Sequence, residues 1–290
     1  MENLRGAALM VLAMLFFAIE DMIIKLLVGA IPIGQIVGML GIFSALLIAP
    51  VLALKSEPLF SRQMLTVPIL LRAIGEIVGT IGFLTAIALI PLSTASAILQ
   101  ATPLFVTLGA ALFMQEQVGW RRWTAILVGF CGVLLIIRPG LEGFDWRSLF
   151  ALQGVIGLGM RDLATRRVPK HTSTLQLSFW AFLALIPAAA IMMGVNGDVF
   201  VRPAAPDLML LFAALFIGIG AYYAIVSAMR IGDVSFVSPF RYSRILFALV
   251  IGVSVFDERP DAMTLLGATV IVASGLYTLW REQTARKLVS

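Results

Sequence analysis

Two stretches of equal length decide the fold: STASAILQATPLFVTLGAALFMQE at residues 93–116 and SFVSPFRYSRILFALVIGVSVFDE at residues 235–258. An offset of 142 places Ser93, Ser96 and Glu116 on Ser235, Ser238 and Glu258. An offset of 141 places Asp21 on Asp162, Lys25 on Arg166 and Gln35 on Gln176. Because the matches keep their order and a nearly constant offset, the chain is predicted to contain two copies of one unit, residues 1–140 and 141–290.

The chain is far more apolar than a soluble domain. Of its 290 residues, 60% are hydrophobic and 13% are charged, and the mean hydropathy is +1.02. Apolar runs of about 20 residues, enough to cross a hydrocarbon core of ~30 Å, recur along its whole length. The first run lacks a convincing cleavage site and is read as a retained helix. The sequence therefore predicts an all-α integral membrane protein with ten transmembrane helices, at 6–27, 33–54, 66–89, 93–114, 120–137, 148–167, 174–195, 207–230, 233–256 and 261–280.

Lysine and arginine residues in the short loops predict the orientation, because cytoplasmic loops are enriched in them. With the N-terminus inside, twelve of these residues fall on the cytoplasmic side and four on the other. Ten crossings then leave both termini in the cytoplasm. A unit of five crossings enters the membrane from opposite sides in its two copies, so the repeats are predicted to have inverted topology, which suits alternating access.

Composition also excludes several classes of function. The net charge is +5, but the basic residues are scattered at helix ends, which argues against nucleic-acid binding. With one cysteine, Cys131, and one histidine, His171, the chain cannot assemble a multi-residue Cys/His metal site or a disulfide framework, and Ser-His-Asp chemistry is nearly excluded. We therefore expect no metal, no cofactor and no enzymatic activity, and the expected partners are a small-molecule substrate and the lipid bilayer.

Short motifs resemble a known family. FMQE at 113–116, GFCGVLLI at 129–136 and FDE at 256–258 with the following Gly267 and Gly275 are similar to the EamA-type branch of the drug/metabolite transporter superfamily. The resemblance covers essentially the full chain. It implies a carrier of the bacterial inner membrane, often an exporter of amino acids or related metabolites, with a central cavity between the halves.

Ionisable side chains inside the apolar segments are expected to mark the pathway, since each costs roughly 2.5 to 3.5 kcal/mol at a helix centre and should face protein or water. Polar residues on the fourth and ninth segments, Gln100 and Tyr242 among them, indicate walls of one passage, although interhelical hydrogen bonding also explains them. Aromatic residues such as Tyr222 and Tyr223 shape a pocket or only pack. The predicted substrate-binding residues are Glu20, Arg72, Glu76, Gln100, Tyr223, Arg241, Tyr242 and Arg244.

A second set of charged residues is predicted to be structural. Asp21 and Lys25 are four apart, as are Asp162 and Arg166, so each pair can satisfy itself on one helix face. The repeated Glu116 and Glu258 follow helix ends and are expected to cap the next helix in the chain.

Arg241 and Arg244 differ from the other charges because their repeat positions hold Leu99 and Thr102. They bind either a substrate carboxylate or acids of other helices, and the sequence leaves both open. Glu76 is the proton-coupling candidate, since a partly desolvated carboxylate can bind an ammonium or titrate. Five embedded bases against four acids favour anionic or zwitterionic cargo.

These features predict a secondary transporter that exports amino acids or similar zwitterionic metabolites by alternating access. A multidrug or nucleotide-linked metabolite carrier is the alternative, and a lipid-modifying membrane enzyme lies outside this class. Whether the protein is a monomer or a homodimer is left open by the sequence.

Overall fold

The structure is a computed structural model that describes residues 2–60, 65–115, 119–141, 143–169, 172–231 and 234–287. Throughout these ranges the regular structure is helical. Twelve α-helices follow in chain order: α1 (Glu2–Leu27), α2 (Ile33–Leu54), α3 (Val67–Leu89), α4 (Leu92–Leu99), α5 (Thr102–Phe113), α6 (Trp120–Ile137), α7 (Ser148–Thr165), α8 (Thr174–Asn196), α9 (Ala205–Ile231), α10 (Val234–Val237), α11 (Ser243–Phe256) and α12 (Ala262–Lys287), with a 3-10 turn at Ser238–Tyr242.

Nine spans in the described ranges are long and apolar enough to cross a membrane, with α4 and α5 counted as one span and the 3-10 turn and α11 as another. The remaining predicted segment is α7, which has 18 residues and carries Arg161 and Asp162 near its end. These charges lie on the inner side of the bundle, where α7 packs against α3 and Arg161 contacts Glu76. The ends of most helices lie within a few residues of the predicted spans, and the chain is a multi-pass membrane protein.

Two predicted segments are broken helices. The fourth segment divides between α4 and α5, where Pro103 has no N–H to donate to the carbonyl of Leu99. The Thr102 hydroxyl donates to that carbonyl instead, at 2.6 Å. The ninth segment breaks at the 3-10 turn, which contains Pro239. The two breaks occupy the same place in the two halves, since Gln100 and Tyr242 are 142 residues apart.

Helix packing follows the repeat. α3 packs on α7, and α1 packs on α9, so in both cases the third helix of one half contacts the first helix of the other half. α2 packs on its repeat counterpart α8, and α6 packs on its repeat counterpart α12. The α2–α8 contact is antiparallel, because Gly34 lies against Met193 and Gly41 against Leu185. Equivalent helices that run antiparallel agree with the predicted inverted repeat.

Amide side chains tie the halves together in the same symmetrical way. Gln35 exchanges two hydrogen bonds with the backbone of Val201, at 2.6 and 2.9 Å. Its repeat counterpart Gln176 donates to the Pro58 carbonyl at 3.1 Å. Each glutamine begins the second helix of its own half and reaches a connector of the other half. The order and offset noted in the sequence thus correspond to equivalent contacts.

Glycines allow α3 and α7 to approach at backbone distance. A Cβ on Gly82 would lie 2.5 Å from the Gly154 nitrogen and 2.7 Å from the Phe150 oxygen, and one on Gly75 would lie 2.6 Å from the Arg161 nitrogen. In a bilayer the hydrophobic effect does not drive helices together, because lipid tails are as apolar as the side chains. Close approach of this kind lets the helices associate by van der Waals contact instead. It also sets the side chains that follow these glycines on α3 directly against α7.

We expect Gly82→Ala to destabilise the protein by about 1–3 kcal/mol, because the new methyl group meets backbone atoms that cannot move independently. Gly194→Ala on α8 is the matched control, since no atom lies within 4 Å of its added Cβ and alanine has the higher helix propensity. Thermal unfolding in detergent measures both variants. Equal midpoints for Gly82→Ala and the parent protein would contradict the close packing.

Candidate functional site

A cavity of about 550 Å³ lies between the two halves. Its wall is formed by α1, α2, α3, α7, α8 and α9, together with the broken helices. The peripheral pair α6 and α12 contributes no lining residue. The polar residues in the wall are Glu20, Asp21, Ser44, Arg72, Glu76, Thr80, Gln100, Thr102, Arg161, Asp162, Thr165, Thr174, Tyr222, Arg241 and Arg244.

Six of the eight predicted substrate-binding residues line this cavity: Glu20, Arg72, Glu76, Gln100, Arg241 and Arg244. Tyr223 does not, because it lies on the outer side of α9 and is 75% exposed. Its neighbour Tyr222 takes that place and accepts a hydrogen bond from Arg72 at 3.0 Å. Tyr242 is buried outside the lining, and its carbonyl accepts a hydrogen bond from Gln100 at 3.1 Å.

The Asp21 group consists of Glu20, Asp21 and Arg244. The Arg244 guanidinium contacts the Asp21 carboxylate at 2.6 Å and lies over the rings of Phe17 and Phe83, 5.3 and 5.2 Å from their centroids. Aromatic faces attract a cation and also restrict its movement. Arg244 is therefore held in place by one acid and two rings. Of the two alternatives left open by the sequence, the structure contains the ion pair with an acid of another helix.

The Glu76 group consists of Arg72, Glu76, Arg161, Asp162 and Arg241. Arg161 bridges its two acids, with Nη1 3.2 Å from Glu76 and Nη2 2.8 Å from Asp162. Arg72 lies 4.0 Å from Glu76, and Arg241 lies 3.9 Å from Asp162. The contact of Arg241 is long and its side chain is 36% exposed, so this guanidinium is the most weakly paired of the four cavity arginines.

Some buried polar atoms of the cavity remain available. Within the described part of the chain, Arg72 Nε, Glu76 Oε2 and Arg244 Nε have no hydrogen-bond partner. No described side chain forms an ion pair with Glu20, whose carboxylate lies against Gly218 of α9. Buried polar groups are usually satisfied by protein, by water or by a ligand. These atoms therefore mark positions where a polar ligand gains contacts.

The predicted pairs four residues apart are wrong. Asp21 pairs with Arg244 rather than Lys25, and Asp162 pairs with Arg161 and Arg241. The reason is packing: both acids face the cavity, where Arg244 reaches Asp21, and Asp162 contacts its chain neighbour Arg161 and, at 3.9 Å, Arg241. Asp162, predicted to be only structural, consequently lines the cavity.

Lys25, in the last turn of α1, instead contacts the end of α3 and Glu258. Its ammonium donates to the carbonyls of Ile87 and Ile90, at 3.1 and 2.6 Å, and lies 3.5 Å from Glu258. Glu258 was expected to cap α12, but Asp261 has that role, accepting from the Thr264 N–H at 2.8 Å. Glu258 caps α4, a helix of the other half. Its repeat counterpart, Glu116, lies outside the described residues.

The formal charge of the cavity is balanced. Its wall holds four acids, Glu20, Asp21, Glu76 and Asp162, and four bases, Arg72, Arg161, Arg241 and Arg244. The expected excess of bases depended on Lys25, which does not line the cavity. Within the described residues, no cluster of three or more His, Cys, Asp or Glu is arranged to hold a metal ion. His171 lies outside those residues.

We expect Asp21→Asn to destabilise the protein by about 3–5 kcal/mol, because it leaves the Arg244 cation buried without its acid. Asp261→Asn is the matched control. Asp261 pairs with Arg138, and this hydrogen bond, helped by the Thr264 N–H, lowers the pKa of Asp261 to about 2. The pair is exposed, so losing it should cost less than about 1 kcal/mol. Unfolding midpoints that fall equally in the two variants would show that the Asp21–Arg244 pair is not a buried interaction.

Comparison with known proteins agrees with this architecture. The family model of the EamA-like transporter family matches twice, at residues 4–138 and 146–280. A solved crystal structure superposes with a TM-score of 0.59, covering 100% of this chain and 99% of that chain at 19% identity, which is a likeness of fold alone.

Similar proteins of named activity include the S-adenosylmethionine uptake transporter of Rickettsia bellii, 27% identical over 67% of this chain and 66% of that protein. The riboflavin transporter of Vibrio cholerae is 28% identical over 68% of this chain and 66% of that protein. These alignments span just under two thirds of the relatives' own length. The pseudopaline exporter CntI of Pseudomonas aeruginosa is 29% identical over 93% of this chain and 94% of that protein. Since the family model accounts for both halves, the chain belongs to the EamA-like transporter family.

Proposed function

We propose that this protein is a secondary transporter that exports amino acids or similar small zwitterionic metabolites across the bacterial inner membrane. The two halves would expose the central cavity to each side in turn. The observation that carries the proposal is the distribution of charge in the cavity. The Asp21 group has two acids and one base, and the Glu76 group has three bases and two acids.

A zwitterion matches this distribution because it needs a cationic and an anionic contact in one space. The carboxylate would bind the Glu76 group, which has a net positive charge. The ammonium would bind the Asp21 group, which has a net negative charge. Burial strengthens both contacts, since charges interact more strongly away from bulk water.

Arg241 is the proposed carboxylate ligand. A guanidinium presents parallel N–H donors that fit a carboxylate, and the Arg241 guanidinium is partly exposed and only loosely paired. Arg244 is already fixed between Asp21 and two rings. The repeat position of Arg241 holds Leu99 in the first half, so the duplicated scaffold does not require an arginine there.

Glu20 is the proposed ammonium ligand. Its carboxylate lines the cavity without an ion pair to any described side chain. Glu76 is a weaker candidate for this role, because Arg161 and Arg72 flank it at 3.2 and 4.0 Å. Proton coupling at Glu76 stays a prediction.

The place where the cavity ends is compatible with the proposed direction of transport, which is export. Its lining extends to Thr165 at the end of α7, Thr174 at the start of α8 and Met229 near the end of α9. The proposed topology, with both termini in the cytoplasm, places these three residues at the cytoplasmic face. Loading from that face suits an exporter.

A larger amino-acid derivative or nucleotide-linked metabolite is the second candidate, and the size of the cavity favours it. A volume of about 550 Å³ lies in the range of roughly 300–1,000 Å³ that holds drug-sized ligands. S-adenosylmethionine, named for one relative, combines an amino-acid end with a nucleoside end. The same polar contacts would serve its amino-acid end, while Phe17, Phe83 and Phe182 would face the larger group.

Flux through purified protein in liposomes tests the proposal. The panel contains amino acids, S-adenosylmethionine and riboflavin, and we expect saturable transport of at least one amino acid or of S-adenosylmethionine, with empty liposomes as the control. Transport of riboflavin alone, which has no ammonium–carboxylate pair, would reject the zwitterion assignment. An absence of flux for the whole panel would reject both candidates.

We expect Arg241→Gln to weaken substrate binding about 10- to 100-fold, the loss expected when one charged hydrogen-bonding contact is removed. The test compares an amino acid with its amide, which keeps the ammonium group and has a neutral carboxamide in place of the carboxylate. The parent protein should prefer the acid strongly, whereas Arg241→Gln should bind the two about equally.

Arg244→Gln is the control for this experiment. It should lower thermal stability more than Arg241→Gln, because Arg244 is the more buried of the two and holds Asp21. An unchanged preference for the acid over the amide in folded Arg241→Gln protein would disprove carboxylate recognition by Arg241.

A further inference from the structure

One end of the bundle is closed by contacts that join the two halves outside the cavity. Glu258, between α11 and α12, accepts hydrogen bonds from the Leu92 N–H at 2.5 Å, the Ser93 N–H at 2.9 Å and the Ser93 hydroxyl at 2.6 Å. Lys25 lies 3.5 Å from the same carboxylate. A single acid of the second half therefore holds two elements of the first half, α1 and α4.

These contacts also satisfy helix termini. The first N–H groups of a helix and the last carbonyls have no partner within the helix. Glu258 satisfies the start of α4, where a negative charge also complements the helix dipole. Lys25 satisfies the Ile87 and Ile90 carbonyls at the end of α3. The corner between α3 and α4 thus depends on one side chain from α1 and one from the other half.

The contacts lie next to the cavity without belonging to it. Ile24, the residue before Lys25, lines the cavity, whereas Lys25, Ser93 and Glu258 do not. At the other end of the bundle the lining reaches the helix ends at Thr165 and Thr174. The three residues consequently close the end that the proposed topology assigns to the outside.

We propose that Lys25, Ser93 and Glu258 form a latch that keeps the cavity closed to the outside and that must release before the cavity can open there. The proposal rests on the proposed function of alternating access. It assigns a role in transport to three residues that would never contact the substrate.

The chemistry of the latch suits reversible opening. All three residues lie at or near helix ends, and opening the latch would exchange their contacts with one another for hydration. A buried ion pair in the middle of the membrane would be much more costly to break. The side chains of Lys25 and Glu258 are 17% and 7% exposed and Ser93 is fully buried, so the latch is protected when closed.

The sequence repeat supports a role in both halves. The positions equivalent to Lys25, Ser93 and Glu258 hold Arg166, Ser235 and Glu116, which are again a base, a hydroxyl and an acid. Glu116 and the side chain of Ser235 lie outside the described part of the structure. The preserved chemistry indicates that this triad belongs to the duplicated unit rather than to one local corner.

Cysteine accessibility tests the latch without any substrate. Cys131 is the single cysteine of the chain, so Cys131→Ser gives a cysteine-free background. Leu84→Cys then places a thiol in the cavity wall on α3. A membrane-impermeant maleimide added to the outside of intact cells measures how often the cavity opens to that side.

In this background we expect Glu258→Gln to raise the labelling rate of Leu84→Cys about fivefold or more, because weakening the latch shifts the population towards the outward-open state. Ser93→Ala removes one hydrogen bond and should give a smaller increase. Asp261→Asn, which breaks an exposed pair at the same end of the bundle, should leave the rate unchanged.

Labelling of folded Glu258→Gln protein at the rate of the Asp261→Asn control would overturn the latch. If Glu258→Gln does not fold, Ser93→Ala decides the question: an unchanged rate overturns the latch and an increased rate supports it. Because no substrate is needed, the result is independent of which metabolite is carried. Substrate flux with unchanged labelling rates would reject the latch and leave the proposed function standing.

Discussion

An ionised side chain within a membrane-spanning bundle needs a partner or water, and this constraint organises the centre of the protein. Arg161 satisfies it for α3 and α7 together, because it contacts Glu76 across the helix pair and Asp162 on its own helix. That geometry requires α3 and α7 to approach at backbone distance, which Gly75 and Gly82 allow. The small residues allow the close packing, and the close packing allows the buried charges to meet. The cavity lies beside this helix pair.

The sequence predicted the elements well and their partners poorly. Helix spans follow from apolar runs about 20 residues long, and Pro103 and Pro239 lie where the fourth and ninth segments break. Asp21 and Lys25 were expected to pair because they are four residues apart, but helical spacing gives proximity only within a helix, and other helices supplied nearer partners. The choice between Tyr222 and Tyr223 likewise depends on how α9 is rotated, and the uniformly apolar sequence of α9 does not specify that rotation.

Contacts between repeat-equivalent residues explain how two copies of one unit form a single bundle. Gln100 donates to the carbonyl of Tyr242, which occupies the same position in the other copy, so this bond lies where the two halves meet at equivalent points. Gln35 and Gln176 make corresponding contacts away from that point. Both kinds of contact therefore join the first half to the second at positions that the repeat relates.

Departures from the repeat have a different meaning. Symmetry supplies two equivalent ways to arrange the halves, but a cavity with identical walls would bind a zwitterion equally well in two opposite orientations. Arg241 and Arg244 remove that equivalence, because the first half has Leu99 and Thr102 in their place. The walls differ at other positions too, since Arg161 takes the repeat position of Glu20. Of the two arginines of the ninth segment, Arg244 is paired with Asp21 and Arg241 is only loosely paired. In the proposed transport of a zwitterion, a loosely paired cation on one side of the cavity would orient the carboxylate, and the side chain that does so would lie outside the contacts that the two halves share by symmetry.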